Sequence, residues 1–305
     1  MQFLKAILTK NSGFLDPITH KSICHLYRIR NGKVDNLKSD FPLRDVYSQP
    51  TKTIQEPVFY AGTKFDHYGH FILESLARLS NYNGSPPLVW HCNEPGFKNW
   101  QKEILSFWNL NKRKHIFITK PTLFEKIKLT EPQYLIWDKF TDQHNNFMSV
   151  IDKNDNIFEN RKIWLSRNSN RTNFHPKTFN NEEEIEALLT MRGWVVVNPL
   201  DLSIKKQVSL FYNAKHIAGI EGSAFHSLIF CKKIPAKVTI FTRKKQPNGN
   251  FTLIDKIKNS NQNFHYCRLG KSLNPKSVLN VLFRDQEPKL RLLNYLSSVF
   301  QKIRL

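Results

Sequence analysis

Residues 216–230, HIAGIEGSAFHSLIF, decide how this chain is read. His216 to Ile220 is a short apolar run of the kind that fills a buried strand. Glu221-Gly222-Ser223-Ala224 is a turn of small residues, and Phe225 to Phe230 reads as the helix that follows. Such a turn lets an anion approach the backbone, beside the N–H groups that a helix start leaves free. Working outward, the same alternation repeats. RKIWL (161–165) is a strand. EEEIEALLTM (182–191) is a helix with carboxylates in its first turn, where they suit the dipole. WVVV (194–197) is a buried strand. SIKKQVSLFYNA (203–214) is a helix with Ser203 in the N-cap position, and AKVTIF (236–241) is a further strand. Four strands alternating with helices predict a parallel, doubly wound α/β sheet.

A second α/β unit is expected upstream, over residues 1–150. Its first 55 residues read as small strands and loops. PVFYAG (57–62) is a strand, HFILESLARL (70–79) an amphipathic helix, PPLVWHC (86–92) a strand and FKNWQKEILSFWNL (97–110) a helix; HIFITK (115–120) and QYLIWD (133–138) are strands. The Asn- and Asp-rich residues 141–160 read as a linker, so the C-terminal unit spans 151–275. Asp152 to Asn156 has the look of a calcium loop but lacks its central Gly and distal Glu. Residues 276–305 form a tail in which Leu292, Leu293, Leu296, Val299, Phe300 and Ile303 line one face of a basic helix. That helix either packs back on the domains or docks on a membrane surface.

The chain carries 46 Lys+Arg against 25 Asp+Glu, a net charge of +21, which points to anionic partners. Nucleic acid, an acidic membrane surface and phosphorylated small molecules all fit that balance. Hydrophobic residues are 40% and aromatics 12%, enough to bury real cores and exclude wholesale disorder. Cys24, Cys92, Cys231 and Cys267 are scattered, with no CxxC pair, so neither a zinc site nor a disulfide framework is expected. No stretch is apolar enough for a transmembrane helix, and the N-terminus lacks a signal-peptide pattern. A cytoplasmic location, peripheral on an inner membrane face, is the expectation.

Three constellations could carry chemistry. Ser166-Arg167-Asn168-Ser169-Asn170-Arg171 leaves the carboxyl end of a strand, where open α/β sheets bind ligands; guanidinium forks and hydroxyls suit a diphosphate, although a solvated basic loop has the same composition. Glu221, Gly222, Ser223 and His226 follow a second strand. Glu221 would repel phosphate, but it could accept hydrogen bonds from ribose hydroxyls or from a nearby Arg. In the N-terminal unit, His67, His70 and Glu74 surround a helix start, with His70 and Glu74 at i and i+4 on one face. Two imidazoles and a carboxylate there make an acid/base cluster, a metal-ligand set, or a backbone-bonded helix start.

Taken in order, these segments resemble glycosyltransferase family 61. The family's Asn-x-x-His-x-x-x-Asp/Glu element is similar to His67-Tyr68-Gly69-His70-Phe71-Ile72-Leu73-Glu74, with His67 where Asn is usual. Its Ser-Arg, Arg and Asn-Glu positions resemble Ser166-Arg167, Arg171 and Asn181-Glu182. Its Gln…Phe…Ala…Ile…Gly-x-His-Gly-Ala/Ser segment resembles Gln207, Phe211, Ala214, Ile217, Gly219, Glu221, Gly222 and Ser223, with Glu221 where His is usual. The resemblance implies two Rossmann-like domains in a GT-B-type arrangement. It also implies an inverting transferase that takes a nucleotide-sugar donor and a glycan or lipid-linked acceptor. Glu74 or His70 would be the base, with His67 beside them. Arg167 and Arg171 would hold the diphosphate, with Ser166, Gly222 and Ser223 completing the cradle and Glu221 and His226 near the nucleoside. No Asp-x-Asp triplet occurs, so no metal or other cofactor is expected. Bacterial capsule or lipopolysaccharide synthesis is the expected setting. The alternative reading, from charge alone, is a nucleic-acid-binding protein; a non-catalytic membrane scaffold is a third.

Overall fold

The computed structural model describes residues 4–9, 13–17, 22–24, 27–30, 33–36, 49–151, 158–167 and 179–284. Arg171, Asp152 to Asn156 and the C-terminal basic helix therefore lie outside the described residues.

The N-terminal sheet contains β1 (Leu4–Thr9), β2 (Gly13–Leu15), β3 (Ser22–Cys24), β6 (Lys52–Ile54), β7 (Val58–Thr63), β8 (Leu88–His91), β9 (His115–Ile118) and β10 (Thr122–Lys128). Its order is β3-β2-β1-β10-β7-β8-β9, with β6 also paired to β10. β10, β7, β8 and β9 run parallel, while β1, β2 and β3 are added antiparallel. This half is thus a mixed sheet rather than a purely parallel one. β4 (Tyr27–Arg30) and β5 (Lys33–Asn36) form a separate hairpin. The strand expected over 133–138 is shorter: β11 (Tyr134–Leu135) pairs with β12 (Lys139–Phe140) around a tight turn.

The helix expected over 70–79 starts on time and then winds differently. α1 (Tyr68–His70) passes into a π-helical turn, Phe71–Ser75, closed by Leu76 N–H donating to the Phe71 carbonyl at 3.2 Å. Phe71, Ile72, Leu73 and Leu76 are all buried, so packing on every side sets the winding. α2 (Asn99–Ser106) follows β8. The expected linker begins with a helix, α3 (Asp142–Met148), capped by the Thr141 hydroxyl accepting from His144 N–H at 3.2 Å.

The C-terminal sheet is parallel throughout. β13 (Lys162–Leu165), β14 (Val195–Val197), β15 (His216–Ile220), β16 (Lys237–Phe241) and β17 (Asn263–His265) lie in the order β14-β13-β15-β16-β17. Counted from β13 this is the 2-1-3-4-5 doubly wound order, whose switch point lies between β13 and β15. α4 (Glu182–Thr190), α5 (Ile204–Asn213), α6 (Gly249–Lys258) and α7 (Pro275–Phe283) accompany it. Ser203 caps α5 by accepting from Lys206 N–H at 3.3 Å. The helix expected after the glycine turn is a 3-10 helix, Ser223–Phe230, whose last six residues are all buried.

One apolar cluster joins the two halves, running from Phe71, Trp90 and Ile104 to Phe211, Phe230 and Ile240. A second fills the space between the C-terminal sheet and α4 and α7, with Trp164, Ile185, Trp194 and Val278. Among the described residues, no helix is long and apolar enough to cross a membrane.

Candidate active site

A cleft of about 260 Å³ opens where β13 and β15 end, with walls from both halves. On the C-terminal wall are Arg167, Gly222, Ser223, His226 and Arg243. On the N-terminal wall are His67, Gly69, His70 and Leu73, and the rim carries Trp137, Asn248 and Asn250. An open parallel sheet reserves this place for ligands, because the strand-exit loops diverge at a switch point.

Arg167 is fixed from three directions. Its backbone N–H donates to Glu182 Oε1 at 3.0 Å. Its Nη1 donates to the Glu221 carbonyl at 2.8 Å, clipping the loops after β13 and β15 together. Its side chain also lies against Gly222, 3.5 Å from where a Cβ would stand. Burial, then the charge of Arg243, pushes the Arg167 guanidinium below its usual range. Glu182 is itself buried, and desolvation raises its carboxyl to about 7. Asn181 holds the start of α4 to the far side, donating to the Leu273 carbonyl at 2.8 Å and accepting from Leu273 N–H at 2.9 Å.

Arg243 was not singled out from the sequence. It stands two residues beyond β16, and Glu221 orients it: the Arg243 Nε and Nη2 groups each donate to Glu221 Oε1 at 3.2 Å, and its backbone N–H donates to Oε2 at 3.3 Å. Glu221 is therefore turned away from the cleft lining; of its two sequence readings, the nearby-Arg one matches the geometry. Ser166 does not line the cleft either. It is buried, and its hydroxyl hydrogen-bonds Glu186. A signal for Arg243 existed in the sequence, since a basic residue directly after a parallel strand reaches the same crevice as Arg167.

On the opposite wall His70 Nδ1 and Glu74 Oε2 are 2.5 Å apart. Glu74 does not line the cleft, whereas the His70 side chain is 34% exposed and does. The His67 and His70 rings stand 5.1 Å apart. The two walls meet at Gly69 and His226: a Cβ on Gly69 would stand 2.8 Å from His226 Nδ1 and 3.2 Å from Ser223 Oγ. His226 stacks on Phe251 at 4.9 Å, and neither ring nitrogen has a hydrogen-bond partner among the described residues. Burial, and then the electrostatic influence of the neighbouring His70 and His67 imidazoles, pushes it down to about 3, so the ring is neutral. Among the described residues no three His, Cys, Asp or Glu side chains converge as a metal-ligand set.

The geometry thus pairs two guanidiniums with an imidazole–carboxylate dyad across one cleft. A family model described as Glycosyltransferase 61 matches residues 68–259, which include nearly all of this cleft. The chain belongs to glycosyltransferase family 61 and is a glycosyltransferase. Membership implies a nucleotide-sugar donor and a glycan acceptor in general terms. No curated protein matches the chain significantly.

Proposed function

We propose that the chain is an inverting, metal-independent transferase of GT-B type that acts on a bacterial surface polysaccharide such as capsule or lipopolysaccharide. The observation that carries the chemistry is the pair of adjacent guanidiniums, Arg167 and Arg243, facing His70 across the cleft. Two like charges held together repel; a diphosphate between them removes the repulsion and accepts forked hydrogen bonds from both. Ser223 and the Gly222 turn complete the cradle, and Arg171, outside the described residues, is assigned to the same anion.

His70 is the base and Glu74 its positioning partner. Glu74 fixes the ring through Nδ1 and stabilises the imidazolium, which leaves Nε2 to take the acceptor hydroxyl's proton. The acceptor oxygen then bonds to the anomeric carbon as the carbon–oxygen bond to the diphosphate breaks. The diphosphate leaves with the electron pair, and Arg167 and Arg243 stabilise the charge it gains. Neutral His226, which lines the cleft and whose two ring nitrogens have no hydrogen-bond partner among the described residues, offers hydrogen bonds to the donor without adding charge. The charge of +21 suits an anionic glycan or an inner-membrane face from the cytoplasmic side. No observation favours the nucleic-acid reading of that charge.

A thermal-shift screen against nucleoside diphosphates and CMP tests the donor site, because a ligand that binds only the folded state raises the melting point. At least one nucleotide is expected to stabilise the wild type and to lose that effect in Arg167→Ala. Stabilisation by none of them would overturn the reading.

A further inference from the structure

The amino-terminal edge of the C-terminal sheet, at the end away from the cleft, collects cations that the transfer chemistry does not use. Helices that link parallel strands run back against them, so the strand starts share this edge with the C-terminal ends of α4, α5 and α6. Arg161 and Lys215 immediately precede β13 and β15. Register pairs Lys162 with His216, and Lys215 N–H donates to the Arg161 carbonyl at 2.9 Å, so these two exposed cations stand side by side. Neighbouring strands are about 4.8 Å apart, and like charges set opposite each other destabilise a ladder. Neither side chain has a hydrogen-bond or ion-pair partner among the described residues. Arg192 follows α4, Lys233 lies in the loop before β16 and Lys256 lies in the last turn of α6, all of them exposed. The carboxylates described at this edge are Glu159 and Asp255, and Asp255 is occupied by the Ser260 hydroxyl at 2.9 Å and the Gln262 N–H at 2.8 Å. Helix C-termini favour nearby cations, which accounts locally for Arg192 and Lys256. It does not account for Arg161 and Lys215, which start strands.

We infer that this edge is a docking surface for an anionic lipid bilayer, with Arg161, Lys215 and their neighbours on the headgroup phosphates. Three observations select a bilayer among anionic partners. The cations are spread over the ends of several elements along a sheet edge, and do not line a groove. Apolar tips stand among them: Met191, beside Arg192, is 74% exposed, and Pro235 is exposed close to Lys233. An interface takes up such tips while the cations stay with the headgroups. No exposed aromatic side chain lies at this edge among the described residues, so it lacks the stacking platforms that hold single-stranded nucleic acid. The cleft opens at the opposite end, where β13 and β15 finish, so a chain docked in this way keeps its mouth turned away from the bilayer. The acceptor ends that it reaches are then those that stand clear of the membrane surface.

The surface adds to the transferase reading without resting on it, and its test needs neither nucleotide nor acceptor. The full chain would be co-sedimented with phosphatidylcholine vesicles, with and without phosphatidylglycerol. Binding is expected only to the anionic vesicles. Arg161→Gln combined with Lys215→Gln should weaken it about thirtyfold, since each cation near a bilayer surface contributes about fivefold. Lys112→Gln combined with Lys126→Gln, at exposed positions of the N-terminal half, lowers the net charge equally and should change binding little. Lys233→Gln combined with Lys256→Gln supplies the same comparison if the first pair fails to fold. Absence of binding to anionic vesicles overturns the surface. So does an equal loss in the N-terminal pair, which would make net charge alone the cause. Stronger capture by duplex DNA than by the anionic vesicles also overturns it and makes the edge a nucleic-acid surface. Vesicle binding by a chain that no nucleotide stabilises would refute the donor site and leave the docking surface standing.

Discussion

At the scale of single residues, the site is a set of groups whose positions are fixed by buried partners. Arg167→Ala removes one of two cations facing the leaving group, so kcat should fall about a hundredfold to a thousandfold with donor affinity also reduced. Glu221→Gln keeps the shape beside Arg243 but weakens its hold, and a smaller loss confined to donor-dependent parameters is expected; unchanged steady-state kinetics would remove Glu221 as a positioning residue. His70→Ala should lower kcat by about a hundredfold to ten-thousandfold. Glu74→Gln, which removes charge but can retain a hydrogen bond to Nδ1, should cost less. If Glu74→Gln costs as much as His70→Ala, the carboxylate is the base instead.

At the scale of elements, the closeness of β13 to β15 depends on Gly219. A Cβ there would stand 2.9 Å from the Leu165 carbonyl, its register partner, so the strands could not keep their spacing. Gly219→Ala should cost about 1–3 kcal/mol, seen as a melting point lower by several degrees. Ser203→Ala, which deletes only the α5 cap, should cost about 1 kcal/mol and leave activity intact. Equal stability of Gly219→Ala and wild type would show that the sheet relaxes around the added methyl. The elements also explain which sequence expectations failed. The sequence reading assigned nothing to 122–128; Leu123, Phe124 and Ile127 lack the alternation of a strand, and pairing with β1, β6 and β7 makes them β10. The 133–138 segment breaks at Trp137, where two Asn side chains from more than a hundred residues away hold a left-handed turn.

At the scale of the whole molecule, two buried imidazoles link stability to pH. His144 is fully buried in an aromatic cluster, and desolvation pushes it down to about 3; His226 is likewise at about 3. The unfolded chain takes up these protons near pH 6.5 and the folded chain does not, so stability is full above pH 6.5 and is lost as pH falls toward 3. Glu182, raised to about 7, acts in the opposite sense: its burial penalty is relieved as pH falls from about 7 to about 4.5. The clean measure is therefore a difference between variants. His144→Phe lies away from the cleft and should make the melting point less acid-sensitive, by about 1 kcal/mol per pH unit between pH 6 and 4. Parallel melting curves for His144→Phe and wild type across that range would exclude the imidazole as the cause.

The sequence by itself determined the class of this protein. Strand–helix alternation from 161 to 241 set the parallel sheet, because period and punctuation are local properties of the chain. The order of the His67–Glu74, Ser166–Arg171 and Glu221–Ser223 segments pointed to the family that the comparison bears out. The i, i+4 contact of His70 with Glu74 was also legible, since helical geometry alone brings those residues together. Tertiary structure decided what these residues face. It turned Glu221 toward Arg243, withdrew Ser166 to Glu186, set Gly69 against His226, and stood Trp137 at the rim. Each of those outcomes depends on partners 20 to 157 residues apart, and no local pattern encodes which buried group will claim a hydrogen bond.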